Sequence, residues 1–190
     1  MAAHLTEGLR DDLLARWSES HRRHHNVAHL HEVLDAIDVL AGDGLQFDRE
    51  AVELAAWFHD AIYDVGRNDN EDRSAMLARQ MLDGSPDCDE VARLVLATKF
   101  HKVDNGDANA AVLSDADLSV LGAPAVRYRQ YADAVRDEYA AVPDDLFKPA
   151  RARVLSALLA GQIFHTAPGR ERWEEQARRN VTDEIGELNS

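Results

Sequence analysis

The stretch LAAWFHDAIYDV at residues 54–65 decides the fold of this chain, because it combines a nearly apolar helical pattern with two adjacent ionisable residues, His59 and Asp60. A segment this apolar is typical of a helix in a protein core. Burying an unpaired charge is costly, so the pair predicts a site where another group compensates that charge. Asp64 follows Asp60 by one helical turn, and a continuous helix would return it to the same side.

Apolar residues recur at steps of three and four along the chain, and no segment alternates strictly between apolar and polar residues as a half-buried strand does. Glycine and proline separate the segments. The spacing predicts helices over 26–41, 48–62, 70–84, 89–101, 110–121, 124–141, 146–164 and 169–188, with Asp48 and Asn70 as caps. The predicted fold class is all-α, a single helical-bundle domain of eight or nine helices over residues 1–190.

Composition restricts the partners and the location. The chain has 190 residues, a formal net charge of −14 and one cysteine. Long nucleic acid binds through Lys and Arg contacts to phosphates, so the acidic charge predicts no such partner. A small phosphorylated ligand stays compatible, because local charges outweigh screened distant ones. The single cysteine, the missing signal peptide and the lack of a long uncharged apolar run predict a cytoplasmic protein without a membrane partner. The sequence does not indicate an oligomeric state.

Further ionisable residues lie on other apolar segments. The segment HRRHHNVAHLH at 21–31 contains five of the nine histidines, and His25 and His29 are one helical turn apart on the same face. The segment LSDADLSVLG at 113–122 contains Asp115 and Asp117. Three apolar helices would thus each direct an ionisable group inward. A single cation that compensates all of these groups would explain the pattern.

The order of these residues resembles the HD-domain superfamily, and in particular a small bacterial family of predicted metal-dependent HD phosphohydrolases. The segments that support the resemblance span roughly residues 17–188. They are RRHHNVAHL, AAWFHDAIYD, NDNEDRSA, LATKFH, SDADLSVLG, VRDEYAAVP, ARARVLSALL and EEQARRNVTDEIGEL. The resemblance implies a helical phosphohydrolase that acts on a nucleotide or another small phosphorylated metabolite.

By position, the resemblance implies four metal ligands, which are His29, His59, Asp60 and Asp117. Asp117 is preferred to Asp115 because the ligand of the family lies in the ADL step. His25 is the alternative first ligand; otherwise we expect it to contact the phosphate or a bound water. Two imidazoles and two carboxylates suit one divalent ion, Mn²⁺, Fe²⁺, Co²⁺, Ni²⁺ or Mg²⁺.

Three further residues are expected to act on the substrate or the water. Asp64 would orient or deprotonate a metal-activated water, a role that contributes about 10²–10⁴-fold. His101, at the end of its predicted helix, would bind the phosphate or protonate the leaving oxygen. Glu71 would reach the substrate or support a ligand. Each also has an ordinary structural interpretation, such as helix capping or a favourable interaction with the helix dipole.

Two alternative functions stay open. The domain could bind a phosphorylated metabolite as a sensor without turnover. It could also be an iron-dependent oxygenase of the HD type. Such sites need extra histidines between the His59–Asp60 pair and Asp117, and only His101 lies there. Other polar residues have milder interpretations. His21, His24 and His31 are expected at the surface or the rim, Asp115 on a helix surface or beside a ligand, and Arg22 and Arg23 near phosphate or among surface acids.

Overall fold

The computed structural model describes residues 5–190, and every regular element among them is helical. The helices are α1 (Glu7–Trp17), α2 (Val27–Gly42), α3 (Arg49–Phe58), α4 (Asn70–Met81), α5 (Cys88–Ala97), α6 (Ala108–Asp117), α7 (Ala125–Glu138), α8 (Asp144–Leu159) and α9. Helix α9 is continuous through an α-turn at Ala167–Gly169, a π-turn at Arg170–Glu174 and an α-helix at Glu175–Leu188. The predicted all-α class is confirmed, with nine helices in the described part of the chain.

Several helices begin at a side chain that accepts a hydrogen bond from the first turn, as unpaired N–H groups at a helix start require. Asp48 caps α3 in this way, as the sequence predicts, and Thr6 caps α1, which the sequence pattern did not reveal. The prediction that Asn70 caps α4 is wrong. Asn70 is the first helical residue, and its side chain pairs with the backbone N–H and C=O of Asp64.

Helix α3 ends at Phe58, so the prediction of a helix continuing to residue 62 is wrong. The carbonyls of Asp60 and Ala61, in the turn after α3, accept hydrogen bonds from the buried Arg22 guanidinium at 2.7 and 3.3 Å. Asp64 therefore does not return to the Asp60 face by helical periodicity.

Other boundaries also differ from prediction. Helix α5 ends at Ala97, and His101 lies beyond it in the left-handed region at φ 48°. Helix α6 ends at Asp117 and is followed by a 3₁₀ turn at Leu118–Gly122. Helix α8 covers 144–159 rather than 146–164. After α6 and α8 the apolar spacing continues past the end of the helix, because apolar residues that follow the helix pack against other parts of the chain.

Two clusters of buried apolar side chains form the core. The first includes Trp17, Ile37 and Phe58 and joins α1 to α6, and the second, which includes Phe164, joins the 3₁₀ turn and α7 to α9. Trp173, in the π-turn, packs against both clusters. Within the first cluster α2, α3 and α6 pack on one another, which brings the candidate ligands together. The single-domain assignment over 1–190 stays a prediction, and residues 1–4 lie outside the described part.

Candidate metal centre

Four side chains that the sequence singled out meet at the junction of α2, α3 and α6. His29 Nε2 lies 3.1 Å from Asp117 Oδ1 and 3.4 Å from His59 Nε2. His59 Nε2 lies 3.3 Å from Asp60 Oδ2 and 3.5 Å from Asp117 Oδ1. The ligand atoms of His29, His59 and Asp117 all lie within 4.8 Å of one another, so these three residues could hold a metal ion. Asp60 adds a carboxylate at the edge of the same group.

The group is buried, which explains its electrostatics. His29 and His59 are 2% and 1% exposed. Burial by itself raises the pKa of the Asp117 carboxyl, but the facing His59 and His29 rings hold it well below its usual value. Burial likewise disfavours charge on His59, yet the carboxylates of Asp60 and Asp117 raise the pKa of His59 well above its ordinary value. The carboxylates therefore favour a positive charge at this point, either a proton or a cation.

The orientation of His59 suits metal binding. Its Nδ1 donates a hydrogen bond to the Ala56 carbonyl at 2.8 Å, so in the neutral ring the Nε2 lone pair points into the group. The Trp17 ring packs beside it at 5.3 Å between centroids, and Trp17 Nε1 donates to the Trp57 carbonyl. Among the described residues, His29 Nδ1 has no hydrogen-bond partner. Two opposed imidazole nitrogens with two carboxylates fit a divalent cation with nitrogen and oxygen ligands.

Arg22 supports the turn that bears Asp60. Its guanidinium side chain is fully buried, donates to the carbonyls of His25 and Asp60, and pairs with Glu19 at 3.0 Å. The guanidinium therefore connects the His-rich segment at 21–31 to the turn that bears Asp60. The interpretation of Arg22 as a phosphate-attracting residue is therefore replaced by this one.

Glu138, at the end of α7, organises the His-rich segment, and sequence reasoning missed it. Its Oε1 accepts the backbone N–H groups of Arg23, His24 and His25 at 2.8 to 2.9 Å, and its Oε2 accepts from His25 Nδ1 at 2.7 Å and the Tyr63 hydroxyl at 3.0 Å. Burial raises the pKa of Glu138, but the His25 hydrogen bonds lower it to about 2. The only sequence signal was the acidic residue in VRDEYAAVP.

His25 is thereby placed beside the group rather than within it. Its ring stacks on Tyr63 at 4.1 Å, and burial would lower its pKa, but the hydrogen bond to Glu138 and the nearby Asp60 raise it. With Nδ1 engaged by Glu138, its Nε2 is the atom left for the cavity described below. His29, and not His25, belongs to the converging ligand atoms.

His24 is buried, at 7% exposure, contrary to the prediction of a surface or rim position. Its ring lies 4.5 Å from that of His29 and 4.6 Å from that of Tyr131. Burial and the adjacent His29 and His25 lower its pKa well below the ordinary value. A neutral His24 ring thus forms part of the wall behind the ligands.

His101 lies next to the group although its helix ends earlier than predicted. Its Nε2 is 3.7 Å from Asp117 Oδ2, its Nδ1 contacts Ser114 Oγ at 3.1 Å, and its carbonyl accepts from His165 Nε2. Burial lowers its pKa, despite the nearby Asp117 carboxylate. His101 has a left-handed backbone, and its side chain reaches Ser114 and Asp117 of α6.

Asp64 does not face the group. Its carboxylate forms an ion pair with Arg73 and its side chain is 51% exposed, and the hydrogen bond to Arg73 lowers its pKa. The helix end at Phe58 removes the reason for placing it beside Asp60. Glu71, by contrast, lines the cavity that contains Asp60 and Asp117.

Asp115 is fully buried and has a structural role, which corrects the prediction of a helix surface or of a position beside a ligand. Its carboxylate accepts hydrogen bonds from the backbone N–H groups of His165 and Thr166 and from the Thr166 hydroxyl, at 2.6 to 2.8 Å. It fixes the start of α9 against α6. Asp117, two residues later, is the one that reaches the histidines.

A cavity of about 470 Å³ opens onto the candidate ligands Asp60 and Asp117. One end is polar and includes His25, Glu71 and His101. The other end, here called the apolar arm, lies between α7 and α8. Its lining includes Val135, Tyr139, Leu146, Ala150, Val154 and Leu158. A larger concavity on α4 is lined by residues from 62 to 80 and lies away from the candidate ligands.

A scan against protein-family models and searches of curated proteins and of solved structures found no significant match to the chain. Over residues 5–190, no helix combines the length and the apolar character needed to cross a membrane.

Proposed function

We propose that this chain is an HD-type, metal-dependent phosphohydrolase that acts on a small phosphorylated metabolite. The observation that supports the proposal is the convergence of ligand atoms from His29 in α2, His59 directly after α3 and Asp117 at the end of α6, all within 4.8 Å of one another. Asp117 also lines the cavity. Asp60 lies beside these three residues. The order of these residues along the chain agrees with the resemblance described above.

In this proposal, His29, His59, Asp60 and Asp117 hold one divalent ion, Mn²⁺, Fe²⁺, Co²⁺, Ni²⁺ or Mg²⁺. When bound, such an ion lowers the pKa of a coordinated water and polarises a phosphoryl oxygen. The Ala56 carbonyl fixes the orientation of His59, and Arg22 fixes the turn that bears Asp60.

The remaining polar residues of the cavity act on the phosphate. Glu138 and Tyr63 hold His25 so that its Nε2 is available to a phosphate or leaving-group oxygen. His101 reaches the same region from the α5–α6 loop and contacts the phosphate. Glu71 meets the substrate from α4. Asp64 is not retained as the residue that orients water, because it is exposed and paired with Arg73.

A cytoplasmic location without long nucleic acid as a partner belongs to the same proposal. The net charge of −14 disfavours polyanions, and the single cysteine is compatible with a reducing compartment.

Metal content tests the centre. Wild-type protein and the isosteric Asp117→Asn variant are purified without chelator, incubated with Mn²⁺ and desalted, and their metal content is measured by elemental analysis. We expect the wild type to retain the ion and Asp117→Asn to lose it. Asp115→Asn is the matched control, since this buried aspartate of the same helix holds α9 instead. It should keep the ion while losing about 1–3 kcal/mol of stability, because buried hydrogen-bond donors lose their acceptor. An ion retained in Asp117→Asn, or absent from the wild type, would contradict the proposal.

Turnover separates the proposed function from its alternatives. Protein loaded with Mn²⁺, Co²⁺ or Ni²⁺ is expected to release inorganic phosphate from at least one phosphomonoester or nucleotide in a broad panel. Binding without release across the panel would instead favour a sensor, and oxygen uptake by iron-loaded protein would favour an oxygenase.

A further inference from the structure

The cavity has two chemically distinct ends, and we propose that the substrate has the same division. Resting on the phosphohydrolase proposal, we infer that the substrate is a phosphate monoester of an apolar alcohol. Its phosphate would lie at the polar end, and its hydrocarbon group would fill the apolar arm between α7 and α8.

The arm is built from one face of α8. Leu146, Ala150, Val154 and Leu158 follow one another at intervals of four residues, so they form a single stripe, and all four line the cavity. Leu155, roughly 120° around α8 from the middle of this stripe, is fully buried in the second core cluster. Leu158 also packs against that cluster, whereas Leu146, Ala150 and Val154 are exposed, so this outer part of the stripe is additional to the face that the fold needs for packing.

This stripe leaves large apolar side chains open to solvent. Leu146 is 63% and Val154 57% exposed, although both lie in a concave surface. Val135 of α7 and Tyr139, directly after that helix, line the same cavity from the other side. Apolar side chains that are exposed singly are ordinary, but a contiguous apolar concavity next to a few convergent polar groups is typical of a small-molecule site.

The charges along the cavity favour a single phosphate. Among the described residues that line it, the permanent cations are Arg67 and Arg151. Arg67 donates to both oxygens of Asp69 at 2.7 Å, and Arg151 donates to Glu184 at 2.8 Å and to the Tyr131 hydroxyl at 3.0 Å. Both arginines are already paired with carboxylates, so the described lining supplies no unpaired permanent cation for a second or third phosphate.

Glu71 would also repel an extended polyphosphate at the polar end, where Asp60 and Asp117 already hold negative charge. A nucleoside monophosphate fits the arm less well than an alkyl phosphate does. The ribose and base need hydrogen-bond partners when they leave water. The described part of the arm offers few polar groups, chiefly the hydroxyls of Tyr131 and Tyr139 and the Arg151 guanidinium, which already donates to Glu184 and to Tyr131.

Binding of non-hydrolysable alkylphosphonates tests the arm independently of turnover. Calorimetry on the full-length, Mn²⁺-loaded protein would compare methyl-, butyl-, hexyl- and octylphosphonate, with adenosine monophosphate as the polar competitor. We expect the affinity to rise about fourfold for each added methylene until the arm is filled, with an increasingly negative heat-capacity change. An affinity independent of chain length, no binding at all, or tighter binding of adenosine monophosphate than of octylphosphonate would overturn the inference.

A pair of uncharged substitutions tests whether the hydrocarbon group of the ligand lies in the apolar arm. Val154→Asn puts an amide into the arm and should weaken octylphosphonate binding on the order of tenfold, while methylphosphonate binding stays unchanged. Val126→Asn is the control, because Val126 is 75% exposed on α7 and does not line this cavity. Equal effects of the two variants, or no effect of Val154→Asn, would contradict the assignment.

Phosphate release from octyl phosphate distinguishes the two proposals. Chain-length-dependent binding without release from any ester would leave the arm in place and end the phosphohydrolase proposal. Release that is faster from adenosine monophosphate or glycerol phosphate than from octyl phosphate would keep the hydrolase and overturn the apolar substrate.

Discussion

At the scale of single residues, Glu138 supports the candidate site without belonging to the ligand group. One of its oxygens accepts three consecutive backbone N–H groups of the His-rich segment, and the other accepts from His25 and Tyr63. Hydrogen bonds to an ionised acceptor are among the stronger ones in proteins. The carboxylate thereby fixes both the backbone before α2 and the ring of His25.

We expect the stability difference between wild type and Glu138→Gln to depend on pH. The pKa of Glu138 is lowered from 4.5 to about 2 in the folded chain, so the unfolded chain binds more protons between these values. The ionised carboxylate therefore contributes stability above about pH 4.5, on the order of 3 kcal/mol, and this contribution is lost as the pH falls towards about 2. Urea unfolding between pH 7 and pH 3 would measure it.

The exposed Glu187 provides the control, since its 61% exposed side chain has only a long contact to Arg129. Glu187→Gln should change stability little at any of these pH values. A difference between wild type and Glu138→Gln that is the same at pH 7 and pH 3 would count against an ionised Glu138 in the folded state.

At the scale of elements, the π-turn of α9 meets the 3₁₀ turn after α6. A Cβ atom on Gly122 would lie 2.5 Å from Trp173 Cβ and 2.8 Å from the Trp173 backbone, so these turns touch at a glycine. Trp173 also contacts both core clusters. The close approach fixes the end of α6, and therefore Asp117, relative to the second cluster.

Gly122→Ala is expected to lower the free energy of unfolding by about 1–3 kcal/mol, because the new methyl group must displace backbone rather than a flexible side chain. Gly186→Ala, within α9 and with no atom within 4 Å of its added Cβ, should instead raise it by about 0.5–1 kcal/mol through helix propensity. Chemical denaturation of both variants provides the measurement. Stabilisation by both substitutions would show that the turns do not touch as described.

At the scale of the whole molecule, the candidate metal centre connects three helices of the first core cluster. The histidines belong to α2 and to the turn after α3, and Asp117 ends α6. A ligand that binds only the folded chain stabilises it by mass action. A cation that these residues hold would therefore stabilise the tertiary arrangement as well as support the chemistry.

We expect free Mn²⁺ at about 100 times its dissociation constant to raise the free energy of unfolding by about 2.7 kcal/mol, and a chelator to reverse the change. Thermal unfolding at several Mn²⁺ concentrations would follow it. His59→Gln is expected to unfold at a temperature that Mn²⁺ does not affect, because the central imidazole is missing. An equal Mn²⁺ response of wild type and His59→Gln would place the bound ion elsewhere.

The sequence by itself determined the all-α class and supplied the candidate metal ligands that the structure brings together near Asp60. Spacings of three and four report which face of a segment is buried, and α2 appears where Val27, Leu30, Leu34 and Ile37 predict it. Ionisable groups on apolar segments are costly unless they share a partner, which indicated a shared cation. The resemblance then implied His29, His59 and Asp117 among its ligands.

Only the tertiary structure decided where the helices stop and which side chains support the site. Helix α3 ends at Phe58, the carbonyls that follow it bind Arg22, and Asp64 faces solvent beside Arg73. Glu138, 113 residues away from His25 along the chain, orients it. Local periodicity contains no information on such long-range hydrogen bonds, because they depend on how separate helices pack, and packing is a property of the whole chain.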